Sequence, residues 1–173
     1  MYRTRLHRLP WLYTTSPVYF VTTCTYNQAG LLDTASIHES FLLFCRRATE
    51  RHVFVGRYVI MQDHLHLFVA FAPGSTSLSE WLKSLKNHLS RALRDNGRPS
   101  PHWQKGFFDH VLRSQVSYSE KWAYVLLNPV RAGLVAHSED WPVRERFTNY
   151  DHCGADLCPP PFEASALIER RYR

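Results

Sequence analysis

The sequence has no long apolar segment: nowhere does it contain the roughly 18 consecutive apolar residues that a transmembrane helix requires. Its basic start continues into Pro10, Trp11 and polar residues instead of the apolar stretch of a signal peptide. Internal repeats and low-complexity segments are also missing. We therefore expect a cytoplasmic protein, and the 45% apolar and 14% aromatic fractions indicate one globular domain with a packed core.

Cysteine is scarce in this chain. The four cysteines, at positions 24, 45, 153 and 158, show no Cys-x-x-Cys spacing, which supports neither a zinc ribbon nor a disulfide framework. We expect free thiols in a reducing compartment. Cys153 and Cys158 remain a reserve candidate for a metal site in the tail.

Acidic residues are outnumbered by basic ones, 15 to 21, which gives a formal net charge of +6. This balance favours a polyanionic partner, although many basic proteins bind no nucleic acid. The excess is visible at both ends of the chain, at Arg3, Arg5, Arg8, Arg170, Arg171 and Arg173.

Residue periodicity predicts an alternation of strands and helices. Stretches rich in β-branched and aromatic residues indicate strands at residues 17–26, 53–61, 64–72 and 102–113. The short connection through Gln62 and Asp63 favours an antiparallel hairpin between the second and third strands. The fourth strand is expected to be interrupted near Gly106.

Three Ser-x-x-Glu capping boxes predict helix starts, at Ser36, Ser77 and Ser117. We expect these helices to end near Arg51, Asp95 and Pro129. The second helix has an apolar stripe from Trp81 to Leu93 that is expected to face the core, with basic residues on its other face.

The order strand, helix, two strands, helix, strand, helix predicts an α+β fold. The expected architecture is a ferredoxin-like sandwich, with a mainly antiparallel sheet and helices packed on one face of it. We place this domain at residues 1–136, including a basic N-terminal segment. Residues 137–173 are expected to form an extension that packs in part through Trp141, Phe147 and Tyr150.

Two histidines interrupt the apolar third strand. His64 and His66 point to one side because side chains alternate along a strand, while Leu65 and Leu67 point to the other. Positions two apart are separated by about 6.6 Å, a distance that two imidazoles can span toward a shared cation. A solvated or hydrogen-bonded pair is the alternative, so a metal site requires a further ligand.

Tyr124 and Asn128 are four residues apart, so on a continuous helix they share one face, with Cβ atoms about 5–6 Å apart. If this helix packs beside the third strand, Asn128 offers a carbonyl oxygen as a third ligand and Tyr124 offers its hydroxyl. Two nitrogens, one oxygen and vacant positions suit octahedral Mg²⁺ or Mn²⁺, whereas structural zinc is closed by four protein ligands. A core position for Tyr124 is the alternative.

Three segments occur in an order that a known family shares: YVIMQDHLHLFV at residues 58–69, WQKGFFDH at 103–110 and YVLLNPVRAGLV at 124–135. Together they resemble the single-tyrosine transposases of the HUH superfamily, which are IS200-like, and most closely the REP-associated tyrosine transposases. The resemblance spans roughly residues 14–136. Other members often have proline where Gln62 stands, a departure that touches the turn and no ligand.

The resemblance implies roles for individual residues. His64 and His66 would be the HUH metal ligands, Asn128 the third ligand and Tyr124 the nucleophile, with Mg²⁺ or Mn²⁺ as cofactor. Asp109 and His110 are candidates for proton transfer because of their motif. The residues expected to contact DNA are basic: Arg3, Arg5, Arg8, Lys83, Lys86, Arg91, Arg94, Lys105, Arg113 and Arg131.

By the same resemblance, the substrate is single-stranded DNA, typically a small hairpin with a short recognition sequence at its foot. Tyr124 would attack the scissile phosphate, leaving a 5′-phosphotyrosine and a free 3′-hydroxyl for later rejoining. The protein would be a monomer or homodimer, and nucleoid-associated when bound to DNA. One alternative is a domesticated hairpin-binding protein without full transposition activity; another is an unrelated metal-binding or structural domain, which the three ordered motifs disfavour.

Overall fold

The computed structural model describes residues 17–146 of the 173-residue chain, and within them five strands form one antiparallel sheet in the order β4-β1-β3-β2-β5. The strands are β1 (Val18–Cys24), β2 (Val53–Ile60), β3 (His64–Phe71), β4 (Phe108–Leu112) and β5 (Arg144–Arg146). The helices are α1 (Ala35–Ala48), α2 (Leu78–Asp95), α3 (Gln115–Leu126) and the short α4 (Asn128–Arg131).

The central part of the sheet follows the predicted ferredoxin-like arrangement. Strands β2 and β3 form the expected hairpin, in which the Met61 N–H donates to the His64 carbonyl at 2.8 Å. Strand β1 lies against the other side of β3, and β4 lies outside β1. The strand order β4-β1-β3-β2, with α1 following β1 and α2 following β3, is the split βαβ pattern. The predicted α+β class is therefore confirmed.

One face of the sheet packs against α1 and α2. Leu65, Leu67 and Val69 of β3 point to this side and join one buried cluster with both helices. The apolar stripe predicted for α2 is buried in full, at Trp81, Leu82, Leu85, Leu89 and Leu93. Long buried stripes of this kind supply most of the free energy that holds a helix to a sheet.

The opposite face of the sheet packs against α3. Phe68 of β3 contacts Tyr118 and Trp122 of this helix, with ring centroids 4.6 and 6.1 Å apart. The expectation that the helices lie on one face is correct for α1 and α2 and wrong for α3. The reason is that β1 and β3 are apolar on both sides, so each face of the sheet has to be covered from water.

Only one of the three predicted capping boxes is present. In α2, the Ser77 hydroxyl accepts the Glu80 N–H and the Glu80 carboxylate accepts the Ser77 N–H. Helix α1 is instead capped by Thr34, and α3 by Ser114. The predictions at Ser36 and Ser117 are therefore wrong, because an upstream hydroxyl captures the free N–H groups first and places both serines inside the first turn.

The chain after α4 returns to the sheet. The indole of Trp141 is buried and donates to the Ile60 carbonyl at 2.9 Å, and the Ile60 N–H donates to the Val143 carbonyl at 2.9 Å. Strand β5 then pairs with β2. The other side chains and thiols expected to matter near the ends, Arg3, Arg5, Arg8, Phe147, Tyr150, Cys153 and Cys158, lie outside the described residues.

Cys24 and Cys45 are free thiols, as predicted. Burial raises the pKa of the Cys45 thiol well above its ordinary value, so it stays protonated in the core. None of the helices within residues 17–146 combines the length and the apolar character that a bilayer crossing requires.

Candidate active site

The histidine pair lies on the α3 face of the sheet. His64 and His66 alternate with Leu65 and Leu67, so they share the side of β3 that carries Phe68. Their ring centroids are 4.7 Å apart with an interplanar angle of 78°. His66 is buried and His64 is half-buried. The two imidazoles are therefore close enough to contact one shared atom.

Each imidazole is held by a polar neighbour at Nδ1. The carboxylate of Asp63 lies 2.7 Å from Nδ1 of His64, and the hydroxyl of Thr22 lies 2.8 Å from Nδ1 of His66. Thr22 is the residue directly opposite His66 in the β1–β3 pairing. When Nδ1 carries the proton in such a pair, Nε2 keeps its lone pair and its direction is fixed. In that tautomer, each ring would offer the lone pair of Nε2, which no residue among 17–146 engages in a hydrogen bond.

The environment of His66 keeps it neutral. Burial is the main cause that lowers the pKa of His66 from 6.5 to about 3, followed by the charges of His64, Arg131 and Lys121. The Asp63 carboxylate acts in the opposite direction and is outweighed. A neutral imidazole at physiological pH is the form that can bind a metal ion.

Tyr124, Asn128 and Arg131 form a second cluster. The Tyr124 side chain is 56% exposed, and the guanidinium carbon of Arg131 lies 3.8 Å from the centroid of its ring. Arg131 also donates through Nη2 to Oδ1 of Asn128. The other amide atom of Asn128, Nδ2, is buried and has no hydrogen-bond partner among residues 17–146.

The helix does not run continuously through this cluster. Helix α3 ends at Leu126, Leu127 has φ −85° and ψ 0°, and Asn128 opens α4 with Pro129 in its first turn. A proline ring fits the first turn of a helix, where its missing N–H has no partner to lose. The expectation of one helix stopped around Pro129 is thus corrected to two helices with a break at Leu127.

The second cluster lies on the helices that cover the histidine face of the sheet. Arg131 and Lys121 both lower the pKa of His66, so their charges act on that imidazole. The Lys121 ammonium lies 5.2 Å from the centroid of the Phe20 ring, and Phe20 stacks on His66 with centroids 5.5 Å apart. The helices that carry Tyr124 and Asn128 therefore cover the face that carries the histidines.

Some of the basic residues predicted to contact DNA lie away from the histidine face of the sheet. Lys83, Arg91 and Arg94 are exposed on α2, across the sheet from α3. The Lys86 ammonium donates to the carbonyls of Gln104 and Gly106 at 3.2 and 2.6 Å, and desolvation lowers its pKa. These hydrogen bonds from Lys86 connect the loop before β4 to α2.

The remaining predicted residues flank β4, an edge strand within the described part of the sheet. Lys105 and Arg113 are exposed at its two ends. His110 lies opposite Phe20 and so shares the α3 face, whereas Asp109 lies opposite Val21 and points to the other face. Of the two candidates for proton transfer, only His110 is on the histidine side of the sheet.

Three residues at the site were not among the predicted site residues: Lys121, Asp63 and Thr22. Lys121, Tyr124, Asn128 and Arg131 are spaced three, four and three apart, which is the spacing of one helical face, so Lys121 could have been found. Asp63 could have been found beside His64. Thr22 could not, because only the register between β1 and β3 places it opposite His66.

A family model described as transposase IS200-like matches residues 14–122. The chain belongs to the IS200-like transposase family. The matched region contains both histidines and ends two residues before Tyr124. The resemblance found in the sequence is thereby confirmed at the level of the family.

Relatives with assigned names agree with this membership. A REP-associated tyrosine transposase of Escherichia coli K12 is 25% identical over 88 residues, which cover 51% of each chain. A Haemophilus influenzae protein given the same name provisionally is 28% identical over 93 residues, covering 48% of this chain and 53% of the relative. The chain spans about half the length of these curated relatives.

A solved structure supports the fold of the IS200-like domain. It is described as a REP-associated tyrosine transposase bound to a REP hairpin, and it superposes with a TM-score of 0.64 at 21% identity. The match covers 95% of this chain and 96% of that one. The sheet and its flanking helices are therefore the same architecture in both proteins.

Proposed function

We propose that this protein cuts and rejoins single-stranded DNA in a metal-dependent reaction, through a 5′-phosphotyrosine on Tyr124. The observation that carries the proposal is the position of Tyr124 and Asn128, whose helices cover the sheet face that bears His64 and His66. Family membership supports it from sequence. The family match covers His64 and His66 and stops before Tyr124, so it supports the histidine part of the proposed site.

Tyr124 supplies the nucleophile in this scheme. Its phenol oxygen forms a bond to the scissile phosphorus while the bond from phosphorus to the 3′ oxygen breaks. The departing 3′ oxygen takes a proton from water and becomes a 3′-hydroxyl. The phenol proton passes to a base, and His110 is the candidate on this face of the sheet. A phenolate is also an acceptable leaving group, which lets the 3′-hydroxyl reverse the step and rejoin the strand.

The donor atoms fit a hard divalent cation. Among residues 17–146 no three His, Cys, Asp or Glu side chains group together, so the histidine pair would need an oxygen ligand of another kind. The Nε2 atoms of His64 and His66, with the carbonyl oxygen of Asn128, would hold Mg²⁺ or Mn²⁺. Asn128 already accepts from Arg131, yet an amide oxygen has a second lone pair. When bound, the cation polarises the scissile phosphate and stabilises the departing oxygen.

The proposed substrate is a DNA hairpin with a single-stranded foot. A related structure is described as bound to a REP hairpin, and the net charge of +6 suits such a polyanion. Arg131 contacts Tyr124 and Asn128 and would neutralise a phosphate there, whereas Lys105 and Arg113 are exposed on either side of β4 along the chain. Contacts from Lys83, Arg91 and Arg94 would require DNA that extends past the edge of the sheet, and Arg3, Arg5 and Arg8 remain predicted contacts.

A covalent-trapping assay tests the proposal. The protein is incubated with labelled hairpin oligonucleotides from the host genome and Mn²⁺, and covalent adducts are separated by denaturing electrophoresis. We expect an adduct from the wild type, none from Tyr124→Phe and none in EDTA, while Tyr124→Phe still binds the hairpin. Wild-type binding without any adduct would contradict the proposal and support a protein that only binds hairpins.

A further inference from the structure

The guanidinium group of Arg131 contacts both Tyr124 and Asn128. Its carbon lies 3.8 Å from the centroid of the Tyr124 ring, and it donates to the carboxamide oxygen of Asn128. The same side chain is exposed to solvent. One group therefore contacts the nucleophile, contacts the third candidate ligand and remains accessible to DNA.

The Tyr124 ring is exposed and is contacted by the Arg131 guanidinium. More than half of the phenol side chain is exposed, and its hydroxyl makes no hydrogen bond with any residue from 17 to 146. An exposed tyrosine without such a bond samples several rotamers, which would spread its oxygen over several ångströms. A cation over the face of the ring is attracted by the ring quadrupole and restricts that motion.

We propose that Arg131 is a positioning residue, which holds the Tyr124 ring toward the histidine face and presents its remaining N–H groups to the scissile phosphate. This inference rests on the proposed function, since it needs Tyr124 to be the nucleophile. The proposed role of Arg131 is more specific than a general contribution to DNA affinity. Displacement of a nucleophile by about 1 Å can reduce a rate by roughly a hundredfold, so restraint of an exposed ring has a large effect on turnover.

A guanidinium suits both tasks better than an ammonium. Its planar group stacks on an aromatic face while its five N–H donors stay directed outward in the plane. One donor is engaged by Asn128, which leaves the others for phosphate oxygens. A lysine at this position would keep the charge and lose both the stacking surface and the fork of donors.

The test compares Arg131→Ala and Arg131→Lys with the wild type in single-turnover adduct formation. DNA affinity is measured separately on uncleavable hairpins. We expect Arg131→Ala to reduce the rate at saturating DNA by roughly tenfold or more, with a much smaller change in affinity, and Arg131→Lys to stay closer to alanine than to the wild type. Added guanidinium ion should restore part of the rate to Arg131→Ala, an effect that a purely structural residue does not give.

The matched control is Arg47→Ala, which removes an exposed arginine from α1 on the other side of the sheet. Its adduct rate should equal that of the wild type. A wild-type rate in Arg131→Ala, or a loss confined to DNA affinity, would overturn the inference alone. Absence of an adduct in the wild type would overturn the proposed function together with it.

A second readout does not depend on cleavage. With 3-fluorotyrosine incorporated at position 124, the ¹⁹F resonance of the wild type should be displaced from that of a free exposed ring. The resonance should move to the free position in Arg131→Ala and stay displaced in Arg47→Ala. An identical resonance in Arg131→Ala and the wild type would show that the stacking does not orient the ring, and would overturn the inference.

Discussion

Each histidine of the candidate site is fixed by one neighbour on the sheet. Asp63 and Thr22 contact the two Nδ1 atoms, which restricts the orientation of the His64 and His66 rings. Neighbours of metal ligands in this position commonly change metal affinity by 10- to 100-fold when removed. The geometry of the pair therefore depends on residues that would not themselves touch a cation.

Thr22→Val should lower Mn²⁺ affinity by at least roughly tenfold, because it removes the hydroxyl at Nδ1 of His66 while preserving the shape of the side chain. Calorimetric titration with Mn²⁺ measures this. Thr23→Val is the matched control, since the Thr23 hydroxyl is buried without a partner in the described chain. That variant should keep its Mn²⁺ affinity and be as stable as the wild type or more so. Equal affinities in the two variants would contradict the assigned role of Thr22.

The buried imidazole of His66 predicts a pH dependence of folding. Its pKa is about 3 in the folded protein against about 6.5 unfolded, so the unfolded chain binds the proton more readily between these values. His66 thus contributes stability that is complete above pH 6.5 and is lost as the pH falls toward 3. Between pH 7 and pH 5, wild type should lose roughly 1–2 kcal/mol more unfolding free energy than His66→Gln, as measured by urea denaturation without added metal. Equal losses of unfolding free energy in the wild type and His66→Gln would contradict this role of His66.

At the scale of elements, the helices were easier to predict than their first residues. The stripe from Trp81 to Leu93 continues over about three and a half turns, and every member is buried as expected. Helix starts depend on which nearby hydroxyl reaches the free N–H groups, and several Ser and Thr compete within a few residues. Thr34 displaced Ser36 in this way, a choice that local spacing does not decide.

The contribution of the α2 capping box to stability can be tested by removing the Ser77 hydroxyl. Ser77→Ala should lower the free energy of unfolding by about 1 kcal/mol, because the Glu80 N–H loses its acceptor. Ser79→Ala, two residues later in the first turn, should change it little. Hydrogen bonds from Ser77 and Thr76 lower the pKa of Glu80, so the carboxylate contribution is present above pH 4.5 and fades below it. Denaturation of the two alanine variants at neutral pH compares them, and equal losses would show that Ser77 is not the cap.

At the scale of the whole molecule, the site exists because a third helix covers the second face of the sheet. The sequence predicts the ferredoxin-like core from the order of its elements, and local spacing puts Tyr124 and Asn128 on one helix face. Their approach to the histidines was expected only if that helix packs beside β3, and otherwise from the family resemblance. The sequence does not predict Thr22 opposite His66 or the return of Trp141 to β2, because those contacts join residues 44 and 81 positions apart. Register between distant segments is set by packing rather than by local pattern.

Trp141 ties the returning chain to the sheet, and its loss should destabilise the whole domain. Trp141→Ala should lower the unfolding free energy by roughly 3–5 kcal/mol, because a buried indole and its bond to the Ile60 carbonyl are both removed. Trp141→Phe should cost less, since most of the packing is kept. His137→Ala, at an exposed position nearby, is the control for urea denaturation. If Trp141→Ala and His137→Ala unfold at the same urea concentration, the segment does not support the domain.

The central claim is that Tyr124 becomes covalently joined to DNA, and the most direct measurement is the chemical identity of the joined residue. The adduct formed with a cleavable hairpin and Mn²⁺ is digested with trypsin and nuclease and mapped by mass spectrometry. Cleavage after Lys121 and Arg131 releases residues 122–131, in which Tyr124 is the sole tyrosine. We predict a nucleotide attached through its 5′-phosphate to Tyr124 in this peptide. Attachment at another residue, such as Tyr118, or a cut strand without any attached protein, would contradict the account.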